Sequence, residues 1–238
     1  MLRKMLNLHP NLTSPEETQF FRMAEPFGLP GYNNFVMNNP VIKRHREIDG
    51  VSEEEFRKIL AKSDSRMNLC ARYMRFFMQR RKPTARRWFD KSPQNVYGAP
   101  MIMARPGPKL IHIYRDPVDV VSSLRIGKVV KVESLIGACN YWNEAADIMF
   151  TMKRAYPKRV MEISYEDFVR NPLAGLESIT RFLGEAFDPA WFEGITAREI
   201  SHRDGGVLSP DEIAEVEHRC LPGRLRYGYA QSSEDGVI

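Results

Sequence analysis

Apolar residues recur at helical spacing in several separate stretches of this chain, and two short aliphatic runs break that rhythm. Leu2, Met5 and Leu6, with Leu8 continuing the pattern, predict an amphipathic helix that stops before His9-Pro10. Ser14-Pro15-Glu16-Glu17, followed by Phe20 and Phe21, reads as a helix start with Ser14 as cap, Pro15 in the first turn and Glu17 closing a capping box. The prolines, glycines and asparagines between Gly28 and Gly50 predict a long irregular excursion, suited to lining a substrate entrance. Ser52 with Glu55 opens a short helix. From Ser65 to about Arg80, Leu69, Tyr73, Phe76 and Phe77 follow core-helix spacing. Ser92 and Pro93 read as the cap and first residue of a further helix.

The first aliphatic run, Lys109 to Tyr114, lies between a Pro-Gly-Pro turn and Arg115-Asp116-Pro117. It lacks two-residue alternation, which predicts a strand buried on both faces, as in a parallel sheet. Asp116 can cap the next helix with Pro117 at its first position, so strand, Arg115 and helix start are contiguous, an arrangement suited to anions. Residues 131–155 carry the longest helical pattern, and Arg159 to Ile163 is the second short strand. Helices are predicted at about 166–171, 173–184 and 209–219, the last capped by Ser209 with Glu212 at its third position. Strand, crossover helices, strand is the rhythm of an α/β fold with a small parallel sheet and helices on both faces. At 238 residues, one substantial core over 1–238 suffices, and a single domain is expected.

Composition narrows the function. Thirty-five Lys and Arg against 30 Asp and Glu give a formal charge of +5, a mild excess that favours anionic small molecules as much as polyanions. The clustered Arg80, Arg81, Lys82, Arg86 and Arg87 read as a solvated connection, and no nucleic-acid-reading module accompanies them. The three cysteines, Cys70, Cys139 and Cys220, are far apart and form no C-x-x-C pair, so neither a disulfide scaffold nor a zinc site is expected. A reducing, cytoplasmic setting fits, and no apolar run approaches the roughly 20 residues of a membrane span.

Three segments, LHPNL with PEETQFF at 8–21, KLIHIYRDPVDVVSSL at 109–124 and ISYEDFVRNPLAGLESITRFLG at 163–184, together with DKSP at 90–93, resemble the sulfotransferases that use 3'-phosphoadenosine-5'-phosphosulfate. The likeness includes the bacterial and tyrosylprotein branches, spans roughly residues 1–184 and implies a three-layer, P-loop-like fold. It implies sulfuryl transfer from that co-substrate to a hydroxyl acceptor, whether a carbohydrate, a phenol or another alcohol. Arg115 and, eight residues on, Ser123 match the ligands of the donor's 3'-phosphate. Glu17 matches the general base, with Glu16 its neighbouring rival, and His9 reads as a turn residue. Lys91 matches the lysine that stabilises departing charge, and its place just before a helix start, where it opposes the dipole, favours an anionic partner. Ser92 is a cap that can reach the co-substrate, and Tyr165 matches a tyrosine beside the adenosine.

The family's phosphosulfate loop, of the form P-R-S-G-T-T, precedes the helix that here begins at Met1. This predicts an N-terminally truncated fold with impaired transfer, or a chain whose start lies upstream, or a nucleotide-binding pseudoenzyme without chemistry. A nucleotide kinase is disfavoured, since no G-x-x-x-x-G-K-[ST] occurs. The basic C-terminal pattern of the family is blurred, and His202 and Arg203 are its best matches.

Overall fold

A computed structural model describes residues 1–22, 24–127, 130–197 and 207–231 of the chain. His202 and Arg203 lie outside the described residues. The chain divides into two compact units, Met1–Pro108 with Leu176–Ile195, and Lys109–Gly175 with Thr196–Ile238.

The first unit opens with α1 (Leu2–Leu6) and a two-residue strand, β1 (Leu12–Thr13). Helices α2 (Pro30–Asn38), α3 (Pro40–Asp49), α4 (Glu53–Ala61) and α5 (Arg66–Arg81) follow, then β2 (Arg87–Trp88), a 3-10 turn over Pro93–Gly98 and α6 (Ala99–Met103). β1 and β2 pair in parallel, Leu12 with Arg87 and Thr13 with Trp88. The core is aromatic. Tyr73 meets Phe20 and Phe56 edge-on, with centroids 5.5 and 6.0 Å away. Buried Arg46 lies over the Phe56 ring at 4.2 Å and donates to the carbonyls of Val36 and Met37 in the last turn of α2, where no helical partner remains.

The helix predicted from Ser14 does not form. Its amides go to tertiary acceptors: Ser14 N donates to Asn7 Oδ1 at 2.8 Å and Glu16 N to Asp49 Oδ1 at 2.9 Å, while the Ser14 hydroxyl donates to the Pro15 carbonyl. The other Asp49 oxygen accepts from Tyr73 at 2.6 Å; burial pushes this carboxyl up, and the two donors oppose it. Nor is the stretch from Gly28 to Gly50 irregular. Pro30 and Pro40 start α2 and α3, the Asn39 side chain caps α3, and Gly50 ends it at φ 75°. The basic run is structural as well as solvated: Lys82 Nζ donates to the carbonyls of Asn7, His9 and Leu12 at 2.7–2.9 Å, and Arg87 donates to Leu183.

The second unit is built on β3 (Leu110–Tyr114), α7 (Pro117–Ile126), α8 (Leu135–Ala155) and β4 (Val160–Ser164). β3 and β4 pair in parallel from Leu110 with Val160 to Tyr114 with Ser164, and all five β3 residues are partly buried, without alternation. Next come α9 (Tyr165–Arg170) and α10 (Pro172–Leu183), whose residues from Leu176 belong to the first unit. α11 (Pro210–Arg219) carries the capping box of Ser209 and Glu212, and α12 (Leu221–Tyr227), absent from the sequence reading, follows it directly. Val121, Leu124, Cys139, Trp142, Val216 and Cys220 form the core of this unit. Gly223 allows α12 to lie against Trp142, since a Cβ there would fall 2.3 Å from the indole.

Candidate functional site

The ends of parallel strands place the site residues of the second unit. Arg115 follows β3 and Tyr165 follows β4, and the pairing of Tyr114 with Ser164 sets the two side by side at the carboxyl edge, where open α/β sheets bind ligands. The Arg115 guanidinium lies 4.7 Å from the centroid of the Tyr165 ring, and its Nη2 donates to Asp119 Oδ2 at 2.8 Å. Asp119 is 2% exposed, so the arginine is fixed from behind by a buried carboxylate. Its carbonyl is fixed too, accepting from Trp142 Nε1 at 2.9 Å.

Asp116 caps α7 by accepting from Val118 N at 2.8 Å, which uses one of the helix's otherwise open amides. Burial pushes the Asp116 carboxyl up, against that bond and the charge of Arg224. Asp116 N donates to Glu166 Oε1, while Ser164 and Tyr229 donate to Glu166 Oε2 at 3.0 and 2.7 Å. Burial acts to raise the Glu166 carboxyl, but these donors together hold it below the usual carboxylate range. Glu166 thereby ties the starts of α7 and α9 to the segment after α12.

Ser123 stands one turn beyond Asp119 on α7, at the spacing that shares a helix face. Ser122 beside it is wholly buried, and the Ser122 hydroxyl has no hydrogen-bond partner among the described residues. α12 brings residues that the sequence reading passed over. Tyr227 stacks on Tyr114 at 4.3 Å and donates to Glu162 Oε1, and Arg224 donates through Nη2 to Glu217 and to the Tyr229 carbonyl. The Arg224 Nε is buried and has no hydrogen-bond acceptor among the described residues. Arg115 at the end of β3 and Arg224 on α12, whose charge acts on Asp116, bring two guanidinium groups to the start of α7. The only early signal for α12 was RLRYGY at 224–229, whose basic and aromatic residues follow a proline and a glycine.

In the first unit Glu17 and Lys91 lie shortly beyond the paired ends of β1 and β2 and form an ion pair. Glu17 caps no helix. Its carboxylate is 25% exposed and the Lys91 side chain 42%, so both reach solvent. His45 Nδ1 donates to the Glu17 carbonyl at 2.8 Å. Ser92 precedes the 3-10 turn but does not cap it with its side chain; the hydroxyl donates to Asp90 Oδ1 and accepts from Gln19 N. The rival Glu16 is ion-paired with Arg3. His9 is fully buried, edge-on to Trp191 at 4.8 Å, with Nε2 donating to the Ala186 carbonyl and Nδ1 accepting from Asn11 N. Among the described residues no group of three or more His, Cys, Asp or Glu is placed to hold a metal ion, and no helix is long and apolar enough to cross a membrane.

Comparisons with known proteins agree with this architecture. Two solved structures are similar: the sulfotransferase domain from the Synechococcus PCC 7002 olefin synthase, at 19% identity and TM-score 0.65, and the sulfotransferase domain from the curacin biosynthetic pathway, at 18% and 0.55. The first match covers 97% of this chain and 90% of the other, the second 87% and 77%. The fold is thus the α/β fold of known sulfotransferase domains, a small parallel sheet flanked by helices. A search of curated proteins finds no match. Residues 1–189 match the family model described as the sulfotransferase family, and the chain belongs to that family.

Proposed function

We propose that this chain binds 3'-phosphoadenosine-5'-phosphosulfate and transfers its sulfuryl group to a hydroxyl acceptor, a carbohydrate, phenol or other alcohol. The observation that carries the reading is Arg115, set at the carboxyl end of β3 over the Tyr165 ring and braced by buried Asp119. A guanidinium so fixed presents its donors in a set direction, which suits phosphate. The residues fit the donor's 3'-phosphate end: Ser123 lies one turn along α7 from Asp119, which braces Arg115, and Arg224 Nε is a buried donor without an acceptor among the described residues. In this reading Arg115, Ser123 and Arg224 hold that phosphate and Tyr165 packs beside the adenosine. The co-substrate, when bound, supplies an activated sulfuryl group that passes to the acceptor oxygen as the sulfur–oxygen bond to the departing adenosine 3',5'-bisphosphate breaks. Glu17 takes the acceptor's proton at its carboxylate, and Lys91 beside it offers positive charge as negative charge develops. Ser92 acts through the turn that carries Lys91.

The test is twofold. Calorimetry with adenosine 3',5'-bisphosphate should show binding that Arg115→Lys weakens, and labelled-donor turnover over a panel of sugars, phenols and alcohols should show transfer that Glu17→Gln removes. Binding without turnover on the whole panel would replace the reading with that of a non-catalytic nucleotide-binding protein. No binding at all would overturn it.

A further inference from the structure

Glu17 and Lys91 are long side chains, both partly exposed, and such a pair does not hold itself rigid, because its weak attraction competes with rotamer freedom. Their order must come from the backbone that carries them. Beside the pair, a network of short polar side chains is withdrawn from solvent. Thr18, the residue after Glu17, donates through Oγ1 to Asp90 Oδ2 at 2.6 Å, and Asn95 Nδ2 donates to the same oxygen at 2.9 Å. Ser92, the residue after Lys91, donates to Asp90 Oδ1 at 2.9 Å, and its hydroxyl accepts from Gln19 N at 3.2 Å. Thr18, Gln19 and Ser92 are 4%, 6% and 6% exposed. Gln19 also has φ 56°, a left-handed backbone that a non-glycine residue adopts only when its surroundings hold it. Burial pushes the Asp90 carboxyl up, against the bonds from Thr18, Asn95 and Ser92.

We propose that Asp90 is the positioning residue of the Glu17–Lys91 pair, acting through Thr18 and Ser92, so that one carboxylate sets the separation of the two reactive side chains. The inference rests on the reading of Glu17 as base and Lys91 as its charged partner. Asp90 itself touches neither side chain's charged end among the contacts seen. The two segments it joins are more than 70 positions apart in sequence, and among the described residues its side-chain donors come from these two segments. A carboxylate serving one local turn needs no bond to Thr18.

Thr18→Val removes one hydroxyl at nearly constant volume and is the cleanest perturbation. Turnover should fall about 10-fold in kcat, with adenosine 3',5'-bisphosphate affinity and acceptor KM within about twofold, because loosened geometry costs rate and not binding. Thr18→Ser, which keeps the hydroxyl, should restore most of the rate. In a Glu17→Gln background Thr18→Val should change turnover less than about twofold, since the group it positions is gone. A readout free of turnover is the stability coupling between Glu17→Gln and Lys91→Met: about 2- to 5-fold in the unfolding constant with Thr18 present, and lost in the Thr18→Val background. Asp90→Asn, which keeps the shape but turns one acceptor into a donor, should also lose the coupling. Coupling that is the same in all backgrounds overturns the role of Asp90, whatever the turnover. A parent that binds donor without transferring sulfate overturns the transfer reading instead, and the coupling still decides for or against Asp90.

Discussion

Replacing Arg115 by lysine keeps a positive charge opposite Asp119 and removes the planar fork. Removing the charge altogether would be less informative, because Asp119, 2% exposed, would lose the guanidinium that donates to it, at a cost of about 3–5 kcal/mol to the fold. The stacking of the guanidinium on Tyr165 at 4.7 Å belongs to the fold and aims the fork, whereas a charge-assisted bond to an anion contributes about 1.5–3 kcal/mol to binding. With the fork gone and its aim lost, about 2 kcal/mol should be lost from nucleotide binding, a Kd about 30-fold weaker. Titration calorimetry with adenosine 3',5'-bisphosphate at fixed ionic strength measures it, with urea unfolding in parallel to show that the variant is intact. A Kd within twofold of the parent, in a variant that still unfolds cooperatively, would refute the assignment of Arg115 to the phosphate.

Glu17→Gln should lower turnover about 100- to 10,000-fold while leaving donor affinity unchanged, and full activity in a labelled-donor assay would remove Glu17 from the chemistry. Gly223→Ala should destabilise the protein despite a gain of about 1 kcal/mol in helix propensity, because the new Cβ would sit 2.3 Å from the Trp142 ring and overpacking costs about 1–3 kcal/mol; a raised midpoint in urea would contradict that packing. Bonds from Arg80 and from Ser52 N hold the Glu55 carboxyl down at about 2, so its contribution is present above its ordinary value of 4.5 and is lost as pH falls toward 2. The stability gap between parent and Glu55→Gln should therefore close over that interval, and a gap constant with pH would rule the linkage out.

Where structure depends on a bond of two or three residues' reach, the sequence was readable. Ser52, Ser65, Asp116 and Ser209 all accept from an amide within their own helix start, and each of those helices stands where it was expected. Ser14 has the same local signature and fails, because Asn7 and Asp49 compete for the amides it needs. Pro30 and Pro40 carry a loop signal in composition, yet each stands at a first helical position, and Asn39 between them is a cap. The position of Arg115 beside Tyr165 was legible once both strands were, since parallel register fixes it. Asp90 was not, because its meaning lies in Thr18, 72 positions away, and α12 was not, because Pro222 and Gly223 near its start obscure the periodicity.

The pairing of Leu110 with Val160 and Tyr114 with Ser164 also has a kinetic meaning. Every rung of that ladder joins residues fifty positions apart, so no rung is assembled by neighbours in the chain, and the entropy of closing the intervening loop is lost before the first rung forms. Arg115 and Tyr165 inherit the same separation. During refolding, nucleotide-binding capacity should consequently emerge in one late step together with the ladder, after the helices that bridge it have gained their circular dichroism signal.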